Sequence, residues 1–453
     1  MKLRRLALRF AVAPAFLLLT LQPAFSMPQN VLVARDRTEP VVAVDPRHPS
    51  TIVVGSNTSY STPVGGSYPT GYFTSHDGGL SFSSGNIPIV RPYTTAADPS
   101  VTIADNGTVF FLNLGETVSY CSGGHSAVIL THSTDGGRTF RAPVILDTNS
   151  ADDKPNLALR NLVGRPVQVF ATWNRDNANN TTDIWYARSA DGGQSFSRPT
   201  RLFGSRVNNF GSVPVVGPHR RVYVFWSHFP DRDGASTSPT RIYLRESTDD
   251  GVHFGPVRSV AGPFPSVPAM VDPGALRNFT QPAALAAPDG TLYLAWAAVT
   301  RRHGHGVVDA DIKLSRSRDG GLTWSRPQRV NDVARSDRFM PAMSLLPDGS
   351  LGIAYYDRRN SPWHLDTYAA RVSFVGGFHA SSNVRVNRRA APIADLFYIK
   401  PGSTCFAAGR FFGDYIGAAA VNGELCVTWA DTGLHVYPES DVWFARVKLP
   451  QVR

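Results

Sequence analysis

Short apolar runs separated by turn-forming residues repeat along the whole chain. A typical run is Val167-Gln-Val-Phe-Ala-Thr-Trp173, and comparable runs end at Trp226 and Trp296. Each run follows a tight turn such as Pro288-Asp-Gly290 and precedes a third strand such as Asp183-Ile-Trp-Tyr-Ala-Arg188. Apolar, β-branched and aromatic runs between clusters of Gly, Pro, Asn and Asp predict β-strands. The pattern therefore predicts an all-β chain built from repeated units of four short strands.

One octapeptide, the box, recurs five times between the third and fourth strands of these units. It has the form Ser-x-Asp-x-Gly-x-x-Phe/Trp, and its aspartates follow one another at a nearly even spacing: Asp77, Asp135, Asp191, Asp249 and Asp319. Such regular self-similarity is typical of repeat architectures. Asp accepts hydrogen bonds from nearby backbone N–H groups and Gly adopts positive φ, so each box is expected to form a turn. We expect its closing aromatic ring to pack back on the hairpin, and we predict a structural role for the five aspartates.

Seven such units account for the length of the chain after its first 26 residues. Two units lack a box, one from Arg338 to Arg371 and one from Gly413 to Arg446. Seven units divide this part of the chain into lengths of roughly 60 residues, which suit the four short strands of a propeller blade. The last unit ends after its third strand, whereas Gln29-Asn-Val-Leu-Val-Ala-Arg35 resembles a fourth strand. We therefore predict one domain over residues 27–453, a seven-bladed β-propeller of four-stranded antiparallel blades whose ring this N-terminal strand closes.

The first 26 residues have the features of an export signal. Basic residues from Lys2 to Arg9 precede an apolar run from Phe10 to Leu21, and Ala24-Phe-Ser26 places small residues before a cut at Met27. That apolar run is shorter than the ~20 residues that span a bilayer. We therefore expect a mature protein that begins at Met27, has no membrane span, and is secreted or periplasmic.

The net charge and the cysteine content limit the classes of partner and cofactor that we expect. The formal charge is +10, and removal of the four basic residues of the leader leaves +6. This mild surplus suits acidic glycans, anionic cell surfaces or nucleic acid, but no nucleic-acid motif is present. Cys405 and Cys426 would form a disulfide in an oxidising compartment, although buried thiols fit equally well and Cys121 would remain unpaired. His303 and His305 have no further candidate ligand at the spacing of a metal site, so we expect neither a metal nor a cofactor.

The boxes, together with the segment Gly413-Asp-Tyr415-Ile-Gly-Ala-Ala, resemble the Asp-box (BNR) repeats and the nucleophile segment of sialidases (neuraminidases). The resemblance covers essentially the whole chain after residue 26 at the level of its units. It implies a β-propeller, with the six blades usual in sialidases as the alternative to seven. It also implies a glycoside hydrolase with a tyrosine nucleophile polarised by a glutamate, an aspartate acid/base and three arginines for the substrate carboxylate. Tyr415 matches the nucleophile, whereas the family's N-terminal Arg-Ile-Pro is replaced by Thr38-Glu39-Pro40.

The first strands of all blades should start at one face, around the mouth of a central channel. Variable loops also gather at this face, which is where binding sites usually lie on a rigid scaffold. The residues expected there are mostly charged or polar: Glu39, Asp98, Asp153, Lys154, Ser212, Gln281, Arg338, Asp414 and Tyr415, with Arg175 and Arg358 nearby on second-strand ends. The arginines of this set have the planar fork that matches a carboxylate.

Two functions remain open, one catalytic and one not. In the first, the protein is a secreted sialidase-like hydrolase acting on a terminal sialic acid or a related acidic sugar. Tyr415 would be its nucleophile and Asp414 or Glu39 the partner carboxylate, and the substrate would be bound by Arg338, Arg358, Arg175, Asp98 and Gln281. In the second, a non-catalytic monomer binds a glycan or a protein partner at the same face. A Tyr415 hydroxyl within reach of a carboxylate and three converging arginines would favour the first, and scattered arginines the second.

Overall fold

The computed structural model describes residues 27–58, 70–117, 125–149, 151–179, 181–229, 239–304, 306–399, 409–432 and 440–452. Within these ranges the chain is all-β, apart from one 3₁₀ turn at Ile393–Asp395. No helix in the same ranges is long and apolar enough to cross a bilayer. The expected leader, Cys121 and Cys405 lie outside the described residues, so the leader remains a prediction. Cys426 is described, and it is a buried free thiol, which is the alternative to the disulfide.

The strands form antiparallel sheets in which neighbours in sequence pair. After β1 (Val31–Ala34), the first sheet holds β2 (Arg37–Val44), β3 (Ile52–Thr58), β4 (Gly71–Ser75) and β5 (Ser83–Asn86). The second holds β6 (Thr95–Ile103), β7 (Val109–Glu116), β8 (Ser126–Ser133) and β9 (Val144–Asn149). The third holds β10 (Asp152–Arg160), β11 (Gln168–Asp176), β12 (Thr182–Ser189) and β13 (Thr200–Phe203). The fourth holds β14 (Asn208–Val216), β15 (Val222–Phe229), β16 (Thr240–Ser247) and β17 (Arg258–Phe264).

Two short strands, β18 (Met270–Val271) and β19 (Leu276–Arg277), interrupt this series. The fifth sheet then holds β20 (Ala283–Ala286), β21 (Leu292–Gly304), β22 (Val307–Ser317) and β23 (Gln328–Arg329). The sixth holds β24 (Arg338–Leu345), β25 (Leu351–Asp357), β26 (His364–Ser373), β27 (His379–Ala380), β28 (Val384–Arg385) and β29 (Ala391–Pro392). β30 (Phe397–Ile399) and β31 (Gly409–Phe411) join β18 and β19 in a separate mixed sheet, where β19 and β31 run parallel. The seventh holds β32 (Gly417–Val421), β33 (Glu424–Asp431), β34 (Asp441–Val447) and β1.

The first strands of the seven antiparallel sheets surround a common central space. β2, β6, β10, β14, β20, β24 and β32 contact one another in that order, and β32 also contacts β2. β1 is antiparallel to β34, with Val31 opposite Phe444. The second strands carry the apolar runs, and their tryptophans Trp173, Trp226, Trp296 and Trp429 are all buried. Because each sheet buries both faces against its neighbours, these runs read as nearly continuous apolar sequence.

Each box forms the turn between the third and fourth strands of its sheet. In the second sheet the hydroxyl of Ser133 donates to Asp135 Oδ1 (2.7 Å) and accepts from the N–H of Gly137 (2.9 Å). Asp135 Oδ1 also accepts from the N–H of Arg138 (2.9 Å). Burial opposes ionisation of Asp135, but these bonds and those from Thr139 prevail and lower its pKa to about 2. The box carboxylate is therefore an internal acceptor of the turn.

The boxes also join neighbouring sheets. The ring of Phe140 lies 4.6 Å from that of Tyr72 in the preceding sheet, and Phe254 lies 5.0 Å from Tyr186 in the same relation. The sequence predicts packing of the ring on its own hairpin. In the structure it enters the space between two sheets, since that is where the apolar surface available for burial lies.

Candidate functional site at the channel mouth

The central space contains a cavity of about 400 Å³ lined by residues of all seven first strands or their approaches. Along the strands its wall combines apolar side chains such as Val101, Ala283 and Ala418 with polar groups. Polar side chains gather at the end where the strands begin, the mouth: Asp98, Lys154, Gln281, Asp414 and Tyr415. A concave cavity with convergent polar groups is a common form of ligand site.

A repeated backbone irregularity marks the start of the first three strands. Glu39, Asp98 and Lys154 each precede a proline and have positive φ values of 55°, 52° and 47°. The strand register shifts at each of these points, as between Asp153 and Asn156, which identifies a β-bulge. Positive φ in non-glycine residues is strained and persists where the surrounding structure holds it. Here the bulges bring the three side chains of three separate sheets into contact.

Lys154 lies at the centre of this contact. Its Nζ is 2.8 Å from Glu39 Oε1, 3.2 Å from Asp98 and 3.1 Å from Asp414 Oδ2. All four side chains are nearly inaccessible to solvent. Burial would lower the pKa of Lys154, but the surrounding carboxylates outweigh burial and raise it well above its usual range. The ammonium is therefore a permanent cation that holds three sheets together.

Further side chains fix the carboxylates of this cluster. Asn57 Nδ2 donates to Glu39 Oε2 and, at 3.2 Å, to Asp98 Oδ1. Arg277, on β19 of the mixed sheet, donates from Nη2 to Asp414 Oδ2 at 2.9 Å. Sequence reasoning missed Asn57 and Arg277 and gave Lys154 no role. Nothing near Arg277 in the sequence indicates it, because its strand pairs with β31, which is distant in the chain.

The carboxyl groups of the cluster have different pKa values because they are buried close together and interact electrostatically. Burial raises the pKa of Glu39 from its usual 4.5 to about 8, with Lys154 opposing the shift and Asp98 reinforcing it. Burial also raises the pKa of Asp153 well above its usual range. The pKa of Asp98 is lowered in spite of burial, chiefly by Lys154. Crowded carboxyl groups cannot all ionise, so at neutral pH the cluster retains protons on Glu39 and Asp153.

Tyr415 faces the cavity beside this cluster. Its hydroxyl donates to the carbonyl oxygen of Pro99 over 3.5 Å, and Lys154 Nζ lies 5.4 Å from the centre of its ring. Burial, reinforced by the negative charges of Glu39 and Asp98, raises the pKa of Tyr415 well above 10. The phenol therefore stays protonated and serves here as a hydrogen-bond donor.

Gln281 lies at the channel mouth, whereas the three predicted arginines do not. Gln281 reaches the mouth and donates from Nε2 to the carbonyl oxygen of Asp414 at 3.2 Å. The three arginines are instead paired in their own sheets: Arg338 Nε with Asp357 (2.9 Å), Arg358 Nη2 with Asp337 (2.6 Å) and Arg175 Nε with Asp152 (2.7 Å). The structure thus brings together Glu39, Asp98, Gln281, Asp414 and Tyr415, and it places Arg175, Arg338 and Arg358 apart from them. Among the described residues, no group of three His, Cys, Asp or Glu side chains is arranged to hold a metal ion.

No protein-family model and no curated protein matches this sequence. Solved structures resemble it over most of its length. The phage phi92 endosialidase matches 94% of this chain and 69% of its own, with 11% identity and a TM-score of 0.50. The Penicillium chrysogenum alpha-L-arabinanase matches 74% of this chain and 94% of its own, with 13% identity and a TM-score of 0.48. The Hadza microbial sialidase Hz136 matches 71% and 63%, with 14% identity and a TM-score of 0.47.

The fold of this chain resembles that of the phage phi92 endosialidase. At these identities the similarity is one of fold, and one fold serves many functions. The function must therefore be argued from the channel mouth itself.

Proposed function

We propose that the chain is a secreted, carbohydrate-active propeller of seven blades that binds a glycan at the mouth of its central channel. The pairing of β1 with β34 supports completion of the last blade by the N-terminal strand. The contact of β32 with β2 supports a ring of seven. The single observation that carries the function is the cluster of Lys154, Glu39, Asp98 and Asp414 beside Tyr415 at the end of a cavity of about 400 Å³.

The chemistry of the mouth suits sugar hydroxyl groups. Carboxylate oxygens and the amide oxygen of Gln281 accept hydrogen bonds, while the Tyr415 hydroxyl and the amide nitrogen of Gln281 donate them. The aromatic ring of Tyr415 offers an apolar face beside these polar groups. A hexose-sized ligand therefore finds donors, acceptors and an apolar surface within one cavity.

The charge of the mouth favours a sugar without a carboxylate. With protons on Glu39 and Asp153, two balanced ion pairs remain, Lys154 with Asp98 and Arg277 with Asp414. No surplus positive charge is left for an acidic sugar. The arginines expected to supply it are neutralised by aspartates elsewhere.

Hydrolysis of a terminal acidic sugar is the second candidate. One observation favours it: Tyr415 lines the cavity together with Asp98 and Asp414, and Glu39 lies next to them on Lys154. Glu39 or Asp414 would then be the partner of Tyr415, and Asp98 a substrate contact. In this candidate Arg277 and Lys154 would have to exchange their present carboxylate partners for the substrate.

A glycan array containing neutral and acidic oligosaccharides tests both candidates, using purified residues 27–453 and the Tyr415→Phe and Asp98→Asn variants. We expect binding of neutral oligosaccharides such as arabinobiose, weakened by both substitutions, because each removes a hydrogen-bonding group from the mouth. A fluorogenic sialoside is run in parallel. Turnover that is absent from folded Tyr415→Phe protein would establish the second candidate in place of the first. A folded wild-type protein that binds no glycan on the array would contradict the proposal.

A further inference from the structure

The end of the propeller opposite the channel mouth carries exposed arginines. This box face consists of the boxes and the turns between first and second strands, which the antiparallel topology places at the same end of every sheet. Six arginines of the second, third and fifth sheets are exposed on it: Arg138, Arg141, Arg165, Arg198, Arg318 and Arg326. They share the face with the exposed Arg47 and Arg220 of the first and fourth sheets and with the exposed Asp105, Asp289 and Asp348, so charge is spread over several loops.

These arginines are available to an external partner. Within the described ranges none of the six forms an ion pair. The box aspartates share the face, but their carboxylates are turned into their own turns, as Asp191 Oδ1 accepts from the N–H groups of Gln194 and Ser195 at 3.0 Å each. The planar fork of a guanidinium pairs with carboxylate or phosphate oxygens. The carboxylate oxygens of the box aspartates already accept hydrogen bonds within their own turns.

Exposed apolar side chains lie on the same face. Of the eleven large apolar side chains that are exposed among the described residues, five are at its tips: Leu80 (65%), Val163 (105%), Val252 (46%), Leu322 (69%) and Val375 (84%). Leu80, Val252 and Leu322 occupy one box position, at which the other two boxes carry Arg138 and Gln194. The turn therefore does not require an apolar residue there, and folding does not explain the leucines.

We propose that the box face binds the surface of an anionic lipid bilayer. Basic side chains beside an anionic leaflet each contribute about 1 kcal/mol, and apolar side chains at the level of the head groups add buried area. A polyanion alone would use the arginines but would leave the leucines and valines in water. Single-stranded nucleic acid is usually bound on aromatic platforms for its bases, whereas the box rings, such as Phe140 and Phe254, are packed between sheets. A duplex, like any other polyanion, would leave the leucines and valines in water. The proposal does not depend on the glycan site, which lies at the opposite end.

Co-sedimentation with vesicles tests the proposal with residues 27–453. Vesicles of phosphatidylcholine alone are compared with vesicles that also contain phosphatidylglycerol, and free dextran sulfate is the polyanion probe. The charge variant combines Arg165→Ala, Arg198→Ala and Arg326→Ala. The apolar variant combines Leu80→Gln and Leu322→Gln, which reproduces the residue of the third box. The matched control removes three exposed arginines from the mouth face through Arg302→Ala, Arg335→Ala and Arg389→Ala.

We expect wild-type protein to bind only the vesicles with phosphatidylglycerol. The charge variant should bind them on the order of 100-fold more weakly, since ~1 kcal/mol per arginine is roughly fivefold each. The apolar variant should also bind more weakly, and the mouth-face control should match wild type. Absence of vesicle binding by the folded protein, or an equal loss in the mouth-face control, overturns the proposal. Binding of dextran sulfate with no effect of the leucine substitutions on vesicle binding also overturns it and identifies a polyanion surface.

Discussion

Lys154 and Glu39 are 115 residues apart in the chain, yet their Nζ and Oε1 atoms are 2.8 Å apart in the structure. They belong to the third and first sheets, and each begins its strand with positive φ. The contact therefore spans the second sheet across the channel mouth. Because this buried contact joins separate sheets, it depends on the relative position of the first three sheets.

Replacement of Lys154 by Met should strongly destabilise the protein. The change leaves Asp98 buried without its cation and removes a hydrogen-bond donor from Glu39 and Asp414, and loss of one partner from a buried pair costs about 3–5 kcal/mol. Urea denaturation at pH 7 measures the free energy of unfolding. The matched control is Lys313→Met, whose partner Asp311 is 2.8 Å away but whose side chain is 23% exposed, so we expect a loss below about 1 kcal/mol. Equal losses in the two variants would show that the central cluster has no special role.

The pH dependence of stability should be governed in part by Glu39. Its folded pKa of about 8 lies above its usual 4.5, so between these values the folded state holds a proton that the unfolded state has released. Stability should therefore fall as pH rises through this window, with a slope of up to about 1.4 kcal/mol per pH unit. Glu39→Gln, which cannot ionise, should flatten the profile of urea midpoints between pH 5 and 8. Glu424→Gln, at a partly exposed pair with Arg446, is the control and should leave the profile unchanged.

The sequence contains most of the information for the sheets and only part of that for the site. Strands, turns and boxes are local features, so the apolar runs and the Gly-rich turns predict them directly. The partners of the arginines cannot be predicted from local sequence. Arg338 could bind a substrate carboxylate or an aspartate, and it is the register of β24 with β25 that places Asp357 opposite it. The bulges cannot be predicted from the sequence either. A residue before proline is ordinarily extended, whereas Glu39 and Lys154 have positive φ.

Removal of a box carboxylate should destabilise the fold without affecting the channel mouth. Asp135→Ala deletes the acceptor of the Arg138 and Thr139 N–H groups and of the Ser133 hydroxyl, and we expect a loss of about 1–3 kcal/mol in the free energy of unfolding. The pKa of Asp135 is lowered to about 2, so its contribution should be present at neutral pH and disappear as pH falls from about 4 towards 2.

The control for the box carboxylate is Asp105→Ala. Asp105 is an exposed turn residue at the same end of the second sheet, and it is bonded to Asn161 through its backbone N–H. We expect a change within about 0.5 kcal/mol, as for most surface substitutions. A comparable loss in both variants would mean that any carboxylate at this end of the sheet stabilises the protein by its charge alone.

Substitution of the two adjacent glycines of the third box by alanine distinguishes the cost of backbone strain from the cost of overpacking between sheets. Gly192 and Gly193 have φ values of 78° and 82°, so alanine at either position is placed in the left-handed region and costs roughly 1–2 kcal/mol. A Cβ on Gly192 would meet nothing closer than Pro166 at 4.0 Å, whereas one on Gly193 would lie 2.7 Å from Leu130 in the preceding sheet. Gly193→Ala should therefore lose a further ~1–3 kcal/mol, since overpacking forces the neighbours to shift. The difference between the two variants in urea denaturation measures how tightly this box fits against the preceding sheet. Equal losses would show that the boxes act only as turns and do not hold the sheets together.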